Sequence, residues 1–96
     1  MSPGLILERE RARIKEIAAR HGVGRISVFG SVARGEASEA SDLDLLIEVT
    51  GPTTPWFPGG LVSELEELLG CRVDVAEAGA LDPLMRDAVL REARPL

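Results

Sequence analysis

Three aspartates and one Gly-Ser turn are the residues whose types and spacing could do chemistry. Asp42 and Asp44 stand two apart in Ser41-Asp42-Leu43-Asp44-Leu45-Leu46-Ile47-Glu48. In a strand, positions i and i+2 face the same way, at a rise of about 3.3 Å per residue. The two carboxylates would then sit roughly 6 to 7 Å apart at the backbone and converge through their side chains. Ions in two-metal sites lie about 3.5–4 Å apart, so such a pair could share one or two Mg²⁺. Just upstream, Ile26-Ser27-Val28-Phe29 reads as a strand running into Gly30-Ser31, with a short helix starting at or just after Ser31. A helix start offers unpaired N–H groups and a positive dipole end to a phosphate. A phosphate cradle beside a hard-cation cradle is what phosphoryl or nucleotidyl transfer requires.

Each feature also has a plainer alternative. Ser31 could be only a helix N-cap. Asp42 could cap a turn at a solvated strand edge. Asp is disfavoured inside strands, however, and two on one face repel unless something compensates. Perturbed acids gather at functional sites, which favours the metal reading. Arg34, one turn into the short helix, could reach a phosphate or pair with Glu36 or Glu39.

The elements that must position these groups follow from periodicity. Ser2-Pro3 resembles a helix start, and Leu7, Ile14, Ile17, Ala18 and His21 follow at helical spacing until Gly22 stops them. His21 is the only histidine, and at a helix C-terminus it most simply offsets the dipole or lies half buried. A first strand spans about Arg25 to Phe29, with Ile26 and Val28 on one face. A polar loop from Glu36 to Ser41 leads to the second strand. There Leu43, Leu45, Ile47 and Val49 line one face, and Asp42, Asp44, Leu46 and Glu48 the other. The Gly- and Pro-rich loop Thr50 to Gly60 carries Trp56 and Phe57. These could lid the site, stack on a base, contact a partner or fold back on the core. Leu61, Leu65, Leu68 and Leu69 give the next helix an apolar stripe that ends at Gly70. Cys71 to Val75 is a third short strand with Arg72 and Asp74 on its polar face. If it pairs beside the second strand, Asp74 joins Asp42 and Asp44. Asp82-Pro83 opens a last helix. Its Leu84, Met85, Ala88, Val89 and Leu90 are expected to be buried, with Arg86, Arg91 and Arg94 outside.

Bulk composition narrows the function further. Ninety-six residues with 45% apolar content suit one globular domain, 1–96, and the 3% aromatic content demands a core of Leu, Val, Ile and Ala. Sixteen acids against 11 bases give a net charge of -5. That balance repels nucleic acid and leaves a phosphate substrate dependent on metal. The single Cys71 excludes an internal disulfide and a thiolate metal cluster, and fits a cytoplasmic setting. No apolar run approaches the roughly 18 residues of a membrane span or forms a signal peptide.

Together, Gly30-Ser31-x-Ala33-Arg34-Gly35-Glu36, Ser41-Asp42-Leu43-Asp44-Leu45 and Val73-Asp74-Val75 resemble the minimal nucleotidyltransferases of the DNA polymerase beta superfamily. The likeness is closest to the MntA-like antitoxins of two-gene toxin–antitoxin systems. It extends to the closing helix, Asp82-Pro83-Leu84 through Arg91-Glu92-Ala93. The resemblance implies an α/β nucleotidyltransferase fold, a short mixed sheet with helices packed on one side. It assigns Gly30 and Ser31 to the nucleotide, and Asp42, Asp44 and Asp74 to a catalytic metal triad; beside these, Arg34 is expected to add positive charge at the nucleotide and two Mg²⁺ are expected at the acids. It implies transfer of a nucleoside monophosphate, AMP from ATP, to a hydroxyl. In the toxin–antitoxin relatives that hydroxyl is a tyrosine on an all-helical HEPN-domain partner, which implies a hetero-oligomer and a type VII-like antitoxin role. The domains that hold acceptors in larger members, and a dedicated base pocket, are missing from this pattern. Gly59-Gly60 is expected to shorten the helix before Leu61.

Overall fold

The computed structural model describes residues 3–38 and 40–96. In chain order it contains α1 (Pro3–Arg9), α2 (Arg11–Arg20), β1 (Val23–Phe29), α3 (Gly30–Ala33), β2 (Leu43–Val49), α4 (Gly59–Leu69), β3 (Val73–Glu77), a 3-10 turn (Ala78–Ala80), α5 (Pro83–Glu92) and β4 (Arg94–Pro95). The strands form one mixed sheet in the order β3-β2-β1-β4. β1 is antiparallel to both β2 and β4. β2 and β3 are parallel, an arrangement that needs a crossover between the strands, and α4 supplies it.

Alternation along the strands sorts the two faces. Leu43, Leu45 and Ile47 of β2 join Ile26 and Val28 of β1 and Val73 of β3 in the core. Ile14, Ile17 and Ala18 of α2 and Leu61, Leu65 and Leu69 of α4 cover that face. Each of the Val, Leu and Ile side chains, once buried, contributes about 1.5–3 kcal/mol. The core is aliphatic as the composition requires, with Phe57 packed at its margin. This layer leaves the opposite face, which carries the aspartates, for other business.

Several boundaries depart from the periodic reading. The first helix is two, parted at Glu10. The break lets α1 lie beside α3 while α2 stays on the sheet and α4; the proposed cap Ser2 lies outside the described residues. β1 starts earlier than Arg25, and its register slips between Val23 and Arg25. There Gly24 packs so closely on Thr50 that a Cβ would collide with the threonine side chain. β3 begins at Val73 instead of Cys71, with its alternation in the same phase. β4 has only two residues, too few for any pattern to announce. α4 starts at Gly59, so the two glycines lie inside the helix. Gly60 belongs there because its α-carbon faces the His21 ring, and an added Cβ would stand 3.3 Å from Cε1.

The largest correction concerns α5. Asp82 caps it as expected, accepting from the Leu84 amide at 2.9 Å. Of its apolar residues only Val89 is buried, while Leu84 is 93% exposed, Met85 58% and Leu90 48%. Helical spacing shows that a stripe exists but not what covers it. α2 and α4 cover the other face of the sheet, and on this face Ser27 and Leu46 are buried while bordering a hollow with Arg86 and Leu90 of α5. The aromatic pair divides as well: Phe57 packs inward and Trp56 is 91% exposed. Their loop follows the far end of β2, about 16 Å along the strand from Asp44. A lid or base-stacking role for Trp56 therefore has no support.

His21 is buried and structural. Its Nδ1 lies 2.5 Å from Thr54 Oγ1 and its Nε2 lies 2.8 Å from Glu64 Oε1. Glu64 also meets Arg20 at 3.3 Å. The bond from His21, helped by Arg20 and His21 charge, holds the Glu64 carboxyl below its usual range. A carboxyl that is more acidic when folded adds stability above its unfolded pKa. That contribution is lost as pH falls through the lower, folded value. Glu64→Gln should therefore flatten the acid limb of a plot of melting temperature against pH. An acid limb unchanged from the parent would contradict this account of the cluster.

Candidate functional site

The candidate residues meet at one end of the sheet, where β1 finishes and β2 and β3 begin. Phe29 pairs with Asp44 across β1 and β2. Asp44 pairs with Asp74 across the parallel strands β2 and β3. Neighbouring strands lie about 4.8 Å apart, and laterally paired residues share a face. Asp42 precedes β2 by one residue and is two before Asp44. The strand placement thus brings Asp42, Asp44 and Asp74 to the same side, away from the aliphatic core. Asp42 and Asp44 are half-buried and Asp74 is exposed.

Electrostatics agree with that placement. Burial pushes the Asp44 carboxyl above its ordinary pKa, and the charges of Asp74, Asp42 and Glu92 push it further, with Arg34 opposing. Asp44 thus sits in a field that favours an added positive charge. The donor set is hard oxygen throughout, as Mg²⁺ prefers. Among the described residues, though, no three His, Cys, Asp or Glu side chains as placed enclose one ion position. The residues fit a hard cation by donor chemistry and charge, and closing round it requires side-chain rotation. Asp74, exposed on the strand, has room to rotate.

The turn next to the acids is held by Gly30. It has φ +75°, in the left-handed region that glycine adopts without strain. A Cβ there would collide with Asp44 Oδ2, so the turn backbone and the central carboxylate pack directly together. Ser31 is not the N-cap. α3 begins one residue earlier, and its N-cap is Phe29 in extended conformation, whose own side chain makes no capping bond. Ser31 is half-buried in this single turn of helix.

Arg34 follows α3, and carboxylates hold it on two sides. Its Nε donates to Glu36 Oε1 at 2.6 Å and its Nη1 to Glu92 Oε1 at 2.8 Å. Both acceptors raise the guanidinium pKa. The expected partner Glu36 is present; Glu39 lies outside the described residues. Glu92 is the residue that sequence reasoning missed. It comes from the end of α5, and the same Oε1 also accepts from the Gly30 amide. No local spacing could have flagged it, because its two donors lie 62 and 58 residues away in the chain. Between α3 and α5 is an open hollow of about 320 Å³, walled by Phe29, Gly30 and Arg34 on one side and by Leu84, Met85 and Glu92 on the other. A roomier hollow of about 570 Å³ lies elsewhere, between α2 and the β1–β4 edge, and includes none of the candidate residues.

Comparison with known proteins gives a consistent set of relatives. The model of a family described as a nucleotidyltransferase domain matches residues 11–96. A protein adenylyltransferase, MntA, of Thermococcus cleftensis is 42% identical over 81 residues, covering 84% of this chain and 82% of the relative. A solved structure described as a minimal nucleotidyltransferase is 50% identical, with a TM-score of 0.77 and coverage of 94% of this chain and 95% of that one. The fold is also shared, at 17% identity and a TM-score of 0.74, with a chain from a crystal structure of a toxin–antitoxin with AMP-PNP. That match covers 88% of this chain and 69% of the other.

Proposed function

The chain belongs to the nucleotidyltransferase domain family, and from that premise we propose that it transfers AMP from ATP to a hydroxyl on a partner protein. The acceptor we propose is a tyrosine of a HEPN-domain toxin, with this chain as the antitoxin of a type VII-like pair. One observation carries the reading. Strand register pairs Asp74 with Asp44, on the side shared with Asp42, and Asp44 packs against the Gly30 turn. The toxin–antitoxin of similar fold holds AMP-PNP, and the 42% identical relative is named a protein adenylyltransferase; both support it.

In this reading Asp42, Asp44 and Asp74 hold two Mg²⁺. When bound, such ions neutralise phosphoryl oxygens and lower the pKa of a ligated hydroxyl. Ser31 and the neighbouring amides hold the β- and γ-phosphates, and Arg34 adds positive charge there. The acceptor oxygen attacks the α-phosphorus in line, a P–O bond forms, and the bond to pyrophosphate breaks. Asp74, the exposed carboxylate of the three, lies beside the incoming hydroxyl and receives its proton. The chemistry is mainly positioning and charge, as expected for phosphoryl chemistry in general.

A second reading is favoured by the uncovered stripe Leu84, Met85 and Leu90 on α5: the chain neutralises its partner by covering it. An enzyme that modifies a protein must also bind it, so the readings overlap. One experiment separates them. The purified chain, the helical protein encoded beside it, ATP and Mg²⁺ are mixed, and the partner is weighed by mass spectrometry. The proposal expects a mass gain of one or more AMP units, lost with EDTA. Tight complex formation without any mass gain would leave only the covering role.

A further inference from the structure

We propose that Glu92 is a positioning residue that prepares the phosphate-binding turn; this rests on the nucleotidyltransferase reading above. A single carboxylate oxygen, Oε1, accepts from the Gly30 amide and from Arg34 Nη1. These donors belong to the two groups placed at the phosphates. One oxygen shared by both sets their separation and ties them to the end of α5.

The Gly30 amide is the first of a one-turn helix, and the first amides of a helix have no carbonyl within it to bond. Phe29, the N-cap, has no side chain that can accept. Glu92 fills that place from across the fold. Arg34 presents a second problem. Its side chain is about half exposed, and ordering such a long chain costs rotamer entropy. Glu36 takes Nε and Glu92 takes Nη1, so the guanidinium is oriented before a ligand arrives. A guanidinium has five N–H donors, and two committed to carboxylates leave the rest for an oxyanion. Prior ordering of this kind raises affinity by removing a cost of binding.

Charge argues against a merely structural role. Glu92 bonds the same Gly30 that packs against Asp44, so a further acid is kept where three already gather. A neutral acceptor would cap Gly30 without that added charge. A carboxylate instead forms a stronger, charge-assisted bond to Arg34.

The test is titration of ATP, with Mg²⁺, into the full chain by calorimetry. Glu92→Ala should weaken binding about tenfold, the equivalent of roughly 1.4 kcal/mol. Glu92→Gln, which keeps an accepting oxygen but loses the charge, should recover only part of that loss, and its near-identical shape guards against a folding defect. Arg34→Ala should weaken binding similarly. Adding Glu92→Ala to Arg34→Ala should cost little more, because residues acting through one another are not additive. Unchanged binding in Glu92→Ala, or fully additive losses, would overturn the proposal. Tighter binding would also overturn it, by showing that Glu92 occupies the phosphate's place. A parent chain that does not bind ATP under these conditions would instead sink the nucleotidyltransferase reading, which separates that failure from this one.

Discussion

Asp44→Asn is expected to lower Mg²⁺-dependent transfer from α-labelled ATP by at least about a hundredfold while making the metal-free protein harder to unfold. The first half follows from position. Asp44 is the middle acid, paired with Asp74 across β2 and β3 and two residues from Asp42. It also packs against the Gly30 turn. Even partners that only support metal ligands change affinity or activity by about 10- to 100-fold, so losing the acid proposed as the central ligand should cost at least the upper figure. The second half follows from charge. Burial and three neighbouring acids raise the folded pKa of Asp44 above its unfolded value. Such a group contributes fully below the unfolded pKa, and its contribution is lost as pH rises through the folded pKa. At neutral pH the ionised carboxylate is therefore a liability that Asn removes. Measured in EDTA, the melting temperature of the variant should exceed the parent's at neutral pH, and the gap should close in acid. A variant that melts earlier at neutral pH would show that Asp44 is structural. Full transfer activity would remove it from the metal site.

That pairing of lost activity with gained stability explains why the site was partly legible in the sequence. Charges inside an apolar alternating run break the local logic of a strand, and Asp42, Asp44 and Asp74 all do so. Period-two alternation placed each on its polar face without knowledge of the fold. Gly30 was legible for a similar reason, since a glycine at a strand end announces a turn. Whether Asp74 joined the other two depended on β3 pairing with β2, a long-range choice made by the α4 crossover and the shared Val73–Leu43 core. Glu92 was beyond reach. It sits at the end of an amphipathic helix, where a glutamate is ordinary, and its meaning appears only when α5 arrives beside α3. The α5 stripe misled in the opposite sense: Leu84, Met85 and Leu90 have core spacing, yet they stay exposed and α5 buries only Val89. The His21 cluster shows the same limit, because Thr54 and Glu64 lie 33 and 43 residues away.

Gly30→Ala should damage both stability and transfer, and a matched control can tell the causes apart. At φ +75° an L side chain is strained, by roughly 1–2 kcal/mol. The new methyl would also collide with Asp44 Oδ2 and lie 3.0 Å from its Cγ and 3.2 Å from its Cβ. The carboxylate must therefore shift from its place beside the turn. A displacement near 1 Å at a reacting centre can cost about a hundredfold, and that is the loss of transfer expected. Gly35→Ala is the control. Gly35 has nearly the same backbone angle, φ +73°, but nothing lies within 4 Å of its would-be Cβ. It should lose a similar amount of stability in urea unfolding and keep most of its transfer activity. The difference between the two variants then measures the collision alone. Gly30→Ala should also relieve part of its defect when combined with a smaller residue at position 44 in unfolding, though not in transfer, because the clash would go while the ligand stayed absent. Equal losses of transfer from Gly30→Ala and Gly35→Ala would show that the turn acts through its backbone shape, and that its contact with Asp44 is incidental.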